Sequence, residues 1–267
     1  MSDSAQWLEW LFGRQPPGLI WIGGHGDQFK GRTFADPGEA AQYGQWLDDT
    51  QAGGVYFRLT LMKAVTEGRG KAEDSSHLVA FGADLDLAGP GHKDAKLPRP
   101  ASDDQLWDIL EAAGAPEPTA WVHSGGGRYA FWRLAEPLKL STPELLGEAA
   151  GKSSALHARI IAEAAGRGFK IDNTRDLARI YRLPGTHNRK GEIPFVAKVL
   201  TSDGPRHAYA GFGMRTRPDQ HENKISTDAY AGRTDASGQG STGGTALFGQ
   251  GGGEHDVDEV RSFTPAE

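Results

Sequence analysis

Cysteine is absent from the 267 residues, which excludes disulfides, a thiolate zinc site and a thiol nucleophile and fits a cytoplasmic location. Long apolar runs are missing as well. Residues 1–14 place Trp7, Leu8, Trp10, Leu11 and Phe12 at helical spacing, but Glu9 interrupts them and nothing apolar follows. This is neither a signal peptide nor a membrane span, and it is expected to form a short amphipathic helix packed on a strand at residues 19–22. The chain also lacks an excess of positive charge, with 29 Lys and Arg against 35 Asp and Glu, a net −6. Nine acidic and five basic residues from Met214 onward carry −4 of it. Residues 1–213 are therefore nearly neutral, so any contact with a polyanion needs a local basic surface.

Two nucleotide signatures are also missing. The stretch Gly147-Glu-Ala-Ala-Gly-Lys-Ser153 is one residue short of a phosphate-binding P-loop, holds Leu146 where glycine is required, and falls inside an expected helix. No His-hydrophobic-His triplet occurs, which removes the paired-histidine metal site of a rolling-circle initiator. No internal repeat is found.

What the chain does contain begins with the run ending Asp84-Leu-Asp86. On a strand Phe81, Ala83, Leu85 and Leu87 form one apolar row, and Asp84 and Asp86 project together from the other face. Such a carboxylate pair suits a hard divalent ion, although two acids on a solvated strand face look the same. Downstream, residues 119–124 run into Gly125-Gly126-Gly127, and alternation resumes at Tyr129, which reads as a hairpin with a glycine turn. Three glycines permit positive φ and let backbone N–H groups approach an anion, or serve turn geometry alone. On the returning strand, Tyr129 is expected on the open face with Phe131 and Arg133, while Ala130, Trp132 and Leu134 pack inward. Residues 169–172 read as a short strand delivering Asp172. Arg175, Arg179 and Arg182 follow at helical spacing, a basic stripe on one helix face. Asn173 would cap that helix and place Asp176 in its first turn.

Asp-x-Asp ending a strand, Ser-Gly-x-Gly on a hairpin, hydrophobic-Asp, then Arg-x-x-Arg-x-Pro-Gly-Thr-x-Asn-x-Lys: in this order, over about residues 18–200, the sequence resembles the archaeo-eukaryotic primase superfamily, in particular the primase-polymerases of phages, plasmids and other mobile elements. The resemblance implies an α+β fold with an RRM-like catalytic core and an adjoining α/β unit. It implies a DNA primase or primase-polymerase, transferring nucleotides on a template by a two-metal mechanism during replication. Asp84, Asp86 and Asp172 would be the catalytic metal ligands for Mg²⁺ or Mn²⁺. Ser124, Gly125, Gly126, Gly127, Arg128, Tyr129, Arg179 and Arg182 would hold the triphosphate. His123, Asp176, Asn188 and Lys190 are weaker candidates, Asp176 being the alternative third ligand. The implied partners are a single-stranded DNA template, nucleoside triphosphates and a separate replicative helicase, with no membrane. One departure stands out: the family places a histidine where this chain has Tyr129, whose phenol can donate to a phosphate but carries no charge. Tyr129 keeps open a second reading, a non-catalytic nucleic-acid-binding module on the same fold, and a metal-dependent nuclease using the same carboxylates is a third.

Helices are expected near 4–12, 37–48, 103–113 and 142–165, and strands near 18–23, 54–61, 78–87 and 193–200. The expected organisation is a catalytic domain over residues 1–213 and a disordered Gly/Ser-rich acidic tail over 214–267, too poor in apolar residues to offset the entropy of folding.

Overall fold

The computed structural model describes residues 2–25, 29–50, 53–66, 68–89, 97–190 and 193–212; the expected tail lies outside them. The fold is α+β, built on two antiparallel sheets, with β9 (His187–Asn188) and β10 (Phe195–Val196) forming a separate two-stranded ribbon. The larger contains β4 (Thr60–Met62), β5 (Ser75–Asp86), β6 (Ala120–His123), β7 (Gly127–Lys139) and β11 (Lys198–Thr201), in the order β11-β6-β7-β5-β4. Helices α3 (Asp103–Ala112) and α4 (Pro143–Gly166) cover one face of it. Side-chain hydroxyls start both helices: Ser102 accepts from Gln105 N, and Thr142 from Leu145 N ahead of Pro143. Phe81, Ala83 and Leu85 of β5 and Ala130, Trp132 and Leu134 of β7 meet Leu106, Ile109, Leu156 and Ile160 in this core. Full burial of each large side chain stabilises by roughly 1.5–3 kcal/mol. The succession is β5-α3-β6-β7-α4, a β-α-β-β-α pattern with both helices on one face. Strand β11 pairs with β6, and β4 takes the edge beside β5.

The second sheet has the order β2-β1-β3-β8, from β1 (Ile20–His25), β2 (Phe29–Phe34), β3 (Val55–Arg58) and β8 (Ile180–Arg182), with α2 (Pro37–Thr50) packed on it. Strand β2, whose sequence lacks apolar alternation, was not expected. Helix α1 (Asp3–Phe12) does not simply lie on the first strand but enters between the sheets, where Trp7 touches Phe57 of β3 and Phe131 of β7 at centroid distances of 6.0 and 5.5 Å. Tyr181 of β8 packs on Phe131 and Tyr129 at 5.1 and 5.2 Å. The face of β7 expected to be open is therefore closed by aromatic rings from the second sheet.

Two further expectations are overturned nearby. Residues 169–172 pair with no strand; Lys170 N reaches only Pro98 O, at 2.8 Å. The arginine stripe is not helical. Asn173 Oδ1 accepts from Arg175 N, and Asp176 Oδ1 from Ala178 N, at 3.3 and 2.9 Å. Such Asx turns compete with a helix. Ile180, Tyr181 and Arg182 then complete the edge of β3, which Ile and Tyr favour over a helix. No described helix is long and apolar enough to cross a membrane.

Candidate active site

Antiparallel pairing sets Asp84 opposite Tyr129 and Asp86 opposite Gly127, so the end of the Asp-x-Asp strand adjoins the glycine turn. Both aspartates point away from the α3/α4 core. Asp84 is half-buried and receives Arg179 Nη2 at 3.1 Å. Burial first, then the Asp86 carboxylate, push its pKa up to about 6 against the pull of Arg179 and Lys190. Its backbone N–H donates to Thr174 Oγ1, 3.1 Å away, and the Thr174 hydroxyl also meets His157 Nε2 of α4 at 3.1 Å. The other ring nitrogen of His157 lies 2.9 Å from Ser153 O. That contact fixes Nδ1 as the donor, so the Thr174 hydroxyl donates to Nε2. Burial lowers the His157 pKa, in keeping with a neutral ring.

Asp172 joins this group through Arg99. The guanidinium stands 3.3 Å from Asp86 Oδ2 and 3.2 Å from Asp172 Oδ2. Lys170 Nζ adds a contact of 2.9 Å to Asp172, and together with Arg99 it holds that carboxyl below the usual range. Asp176 turns elsewhere, toward Arg69 at 4.0 Å. Among the described residues no set of three or more carboxylates and imidazoles is gathered within metal-ligating range; a guanidinium separates Asp86 from Asp172. The donor chemistry nonetheless suits a hard cation, being all carboxylate oxygen.

The glycine turn owes its composition to crowding. A Cβ on Gly127 would lie 2.5 Å from Leu85 O, and one on Gly125, at φ +99°, would lie 2.6 Å from Asn188 Nδ2. His123 Nδ1 accepts from Gly125 N at 3.0 Å, its ring stacked on Phe195. Gly126 O receives Leu87 N, Ser124 N donates to Gly127 O, and Ser124 O accepts from Asn188 Nδ2 at 2.9 Å.

Three expected phosphate contacts lie elsewhere. Tyr129 is only 6% exposed, and its hydroxyl accepts from Arg182 N at 3.4 Å. Burial, then the charge of Asp84, raises its pKa, and its ring packs on Phe131 and on Tyr181 of the second sheet. Arg182 is 3% exposed, its guanidinium held by Tyr56 Oη at 3.0 Å and His187 O at 3.3 Å. Strand alternation sends Arg128 to the helix face, where it forms two contacts of 2.9 and 3.0 Å with Asp103. Among the described residues, Arg179 and Lys190 are cations near Asp84 with access to solvent.

Several residues of the site escaped the sequence reading. Asp48, fully buried on α2, accepts from His187 N and Nδ1 at 3.0 and 2.6 Å and from Arg189 Nη1 at 2.6 Å. It thereby latches the segment that carries Asn188 and Lys190. Asp48 and His157 each lie on the buried stripe of a helix, at spacings continuous with Ala40, Ala41, Gly44 and Leu47 or with Ala149, Leu156 and Ile160. A polar residue in such a stripe was a readable signal. Arg99, between Pro98 and Pro100, had none.

No protein-family model matches the chain, and no curated protein matches its sequence. Among solved structures, the AEP domain of the primase-polymerase of cyanophage S-2L superposes with a TM-score of 0.51 at 17% identity, over 79% of this chain and 94% of that one. The chain has an archaeo-eukaryotic primase fold. A second primase structure, the catalytic domain of RepB′ in complex with initiator DNA, gives a TM-score of 0.48 at 20% identity, over 78% of this chain and 89% of that one. At the end of β5 in this primase fold, Asp84 and Asp86 meet Arg179, Arg99 and Asp172.

Proposed function

We propose that this chain is the catalytic domain of a DNA primase or primase-polymerase, adding nucleotides to a 3′-hydroxyl on a single-stranded DNA template in the replication of a mobile element. The observation that carries the reading is the meeting of Asp84, Asp86 and, through Arg99, Asp172 beside solvent-accessible cations on a primase fold. Asp84, Asp86 and Asp172 would hold Mg²⁺ or Mn²⁺, replacing the Arg99 guanidinium between Asp86 and Asp172. When bound, such ions supply Lewis-acid chemistry: they acidify a 3′-hydroxyl and neutralise charge at the reacting phosphate. Arg179 and Lys190 would bind the triphosphate and favour its developing charge. Asp48 and Asn188 would hold Lys190 and the glycine turn in place. A replicative helicase on a separate chain is the proposed protein partner.

A second reading, a non-catalytic nucleic-acid-binding module, draws on the same contacts. Each of the three carboxylates already has a cationic partner, and the place of the family histidine is filled by a packed tyrosine. Incubating the protein with an end-labelled primer on a single-stranded template, nucleotides and Mg²⁺ or Mn²⁺ distinguishes the possibilities. Lengthened products are expected. Shortened products would assign a nuclease, and an unchanged primer with retained DNA binding would assign the module.

A further inference from the structure

On the helix face of the larger sheet, away from the carboxylates, Trp107 of α3 and Leu200 of β11 are 42% and 48% exposed. Both line a groove of about 260 Å³ shared with Trp121 of β6. The two indoles lie 4.9 Å apart, inclined at 51°. Few large apolar side chains are exposed among the described residues, so two on one groove mark a surface suited to being covered. Trp121 itself is 7% exposed, and its indole N–H has no acceptor among the described residues. That nitrogen is closed off from solvent, so what the groove presents is an apolar slot. Its volume is below the roughly 300–1,000 Å³ of small-molecule clefts, which suits a single side-chain anchor.

Charge identifies the occupant. Helix α3 carries Asp103, Asp104, Asp108 and Glu111 but no Lys or Arg. Residues 104, 107, 108 and 111 share one helix face, so Trp107 stands amid carboxylates. Glu117 and Asp203 line the groove as well, and Arg128, its one basic lining residue, is occupied by Asp103. A nucleic-acid strand would set its phosphates against this surface. Residues 214–267, at net −4, would be repelled too.

We propose that this groove docks a basic segment of a partner protein. One apolar side chain enters between Trp107 and Leu200 over the Trp121 ring, and flanking Lys or Arg side chains pair with Asp104, Asp108 and Glu111. The contact leaves the carboxylate face free, so it is compatible with nucleotide chemistry and does not depend on it.

The test titrates the full chain into a fluorescein-labelled decapeptide of lysines and glycines with one central phenylalanine, read by anisotropy. Saturable binding is expected. It should weaken at least tenfold with Trp107→Ser, with Asp104→Lys combined with Asp108→Lys, and with serine in place of the peptide's phenylalanine. The Trp121 indole N–H resonance should shift on binding, and nucleotide incorporation by the variants should stay within twofold of the parent. The lysine pair lies on an exposed helix face, so it preserves the test should Trp107→Ser fold poorly. Absence of binding, or binding indifferent to Trp107 or to the phenylalanine, would overturn the proposal. So would a labelled oligothymidylate that loses affinity with Trp107→Ser, since the groove would then stack bases.

Discussion

At the scale of single residues, Asp84 would couple the proposed function to stability. Its folded-state pKa is about 6 against an ordinary value near 3.9. Between those values the folded state binds the extra proton, so the ionised carboxyl destabilises the metal-free fold fully above pH 6 and not at all below about pH 4. Asp84→Asn should raise metal-free stability at pH 7 by about 1–2 kcal/mol, allowing for solvent screening and the partner lost by Arg179. The gain should vanish at pH 4, and incorporation should be lost. Thermal melts at the two pH values check this; a variant less stable at pH 7 would contradict the assigned burial. Asp172→Asn should cost far more activity than Asp176→Asn, because Asp172 alone of the two reaches Arg99, the guanidinium that Asp86 also contacts. Tyr129→Phe should leave nucleotide affinity unchanged and cost about 1 kcal/mol of stability, the value of one buried hydrogen bond. A clear loss of affinity, measured by calorimetry, would restore the phenol as a phosphate donor.

At the scale of elements, the Asp-x-Asp strand, the hairpin and the two helices behind them were legible because period 2, period 3.6 and the caps agreed with one another. The segment from Phe169 to Arg182 was not. Its Arg-x-x-x-Arg-x-x-Arg spacing imitates a helix, but the Asn173 and Asp176 side chains close local turns, and the edge of β3 recruits Ile180 to Arg182 into a ladder. Information held by a sheet edge far away in sequence does not appear in local periodicity. The latch from α2 to the His187–Asn188 strand was missed for a related reason: Asp48 and Arg189 are 141 residues apart. Burial raises the Asp48 pKa, but hydrogen bonds from His187 and Arg189 outweigh it, so the folded value is depressed. Its stabilisation is therefore present above about pH 4 and lost as pH falls through the depressed value. Asp48→Ala should cost about 3–5 kcal/mol near neutrality, as expected on removing one partner of a buried ion pair. Denaturant unfolding of parent and variant should converge toward acid pH, and a constant gap across that range would contradict the latch.

At the scale of the whole molecule, two sheets close on each other through Trp7, Phe57, Phe131 and Tyr181. That closure explains both what the sequence revealed and what it concealed. The order of motifs identified the fold, and alternation in β7 correctly sent Ala130, Trp132 and Leu134 to the helix core. The opposite face looked open only because a second sheet cannot be seen from one strand. Its aromatic packing removes Tyr129 and Arg182 from direct phosphate contact and leaves Arg179 and Lys190 beside the carboxylates. The most direct measurement of the central claim is pyrophosphate release coupled to primer extension on a single-stranded DNA template, for the parent chain and for Asp86→Asn. Asp86 is partly exposed at a strand end, so this variant should keep its melting temperature within a few degrees. The account predicts release and extension by the parent with Mg²⁺ or Mn²⁺, and a loss of at least a hundredfold in the folded variant. Equal rates in the two proteins, or no product from the parent with either ion, would contradict it.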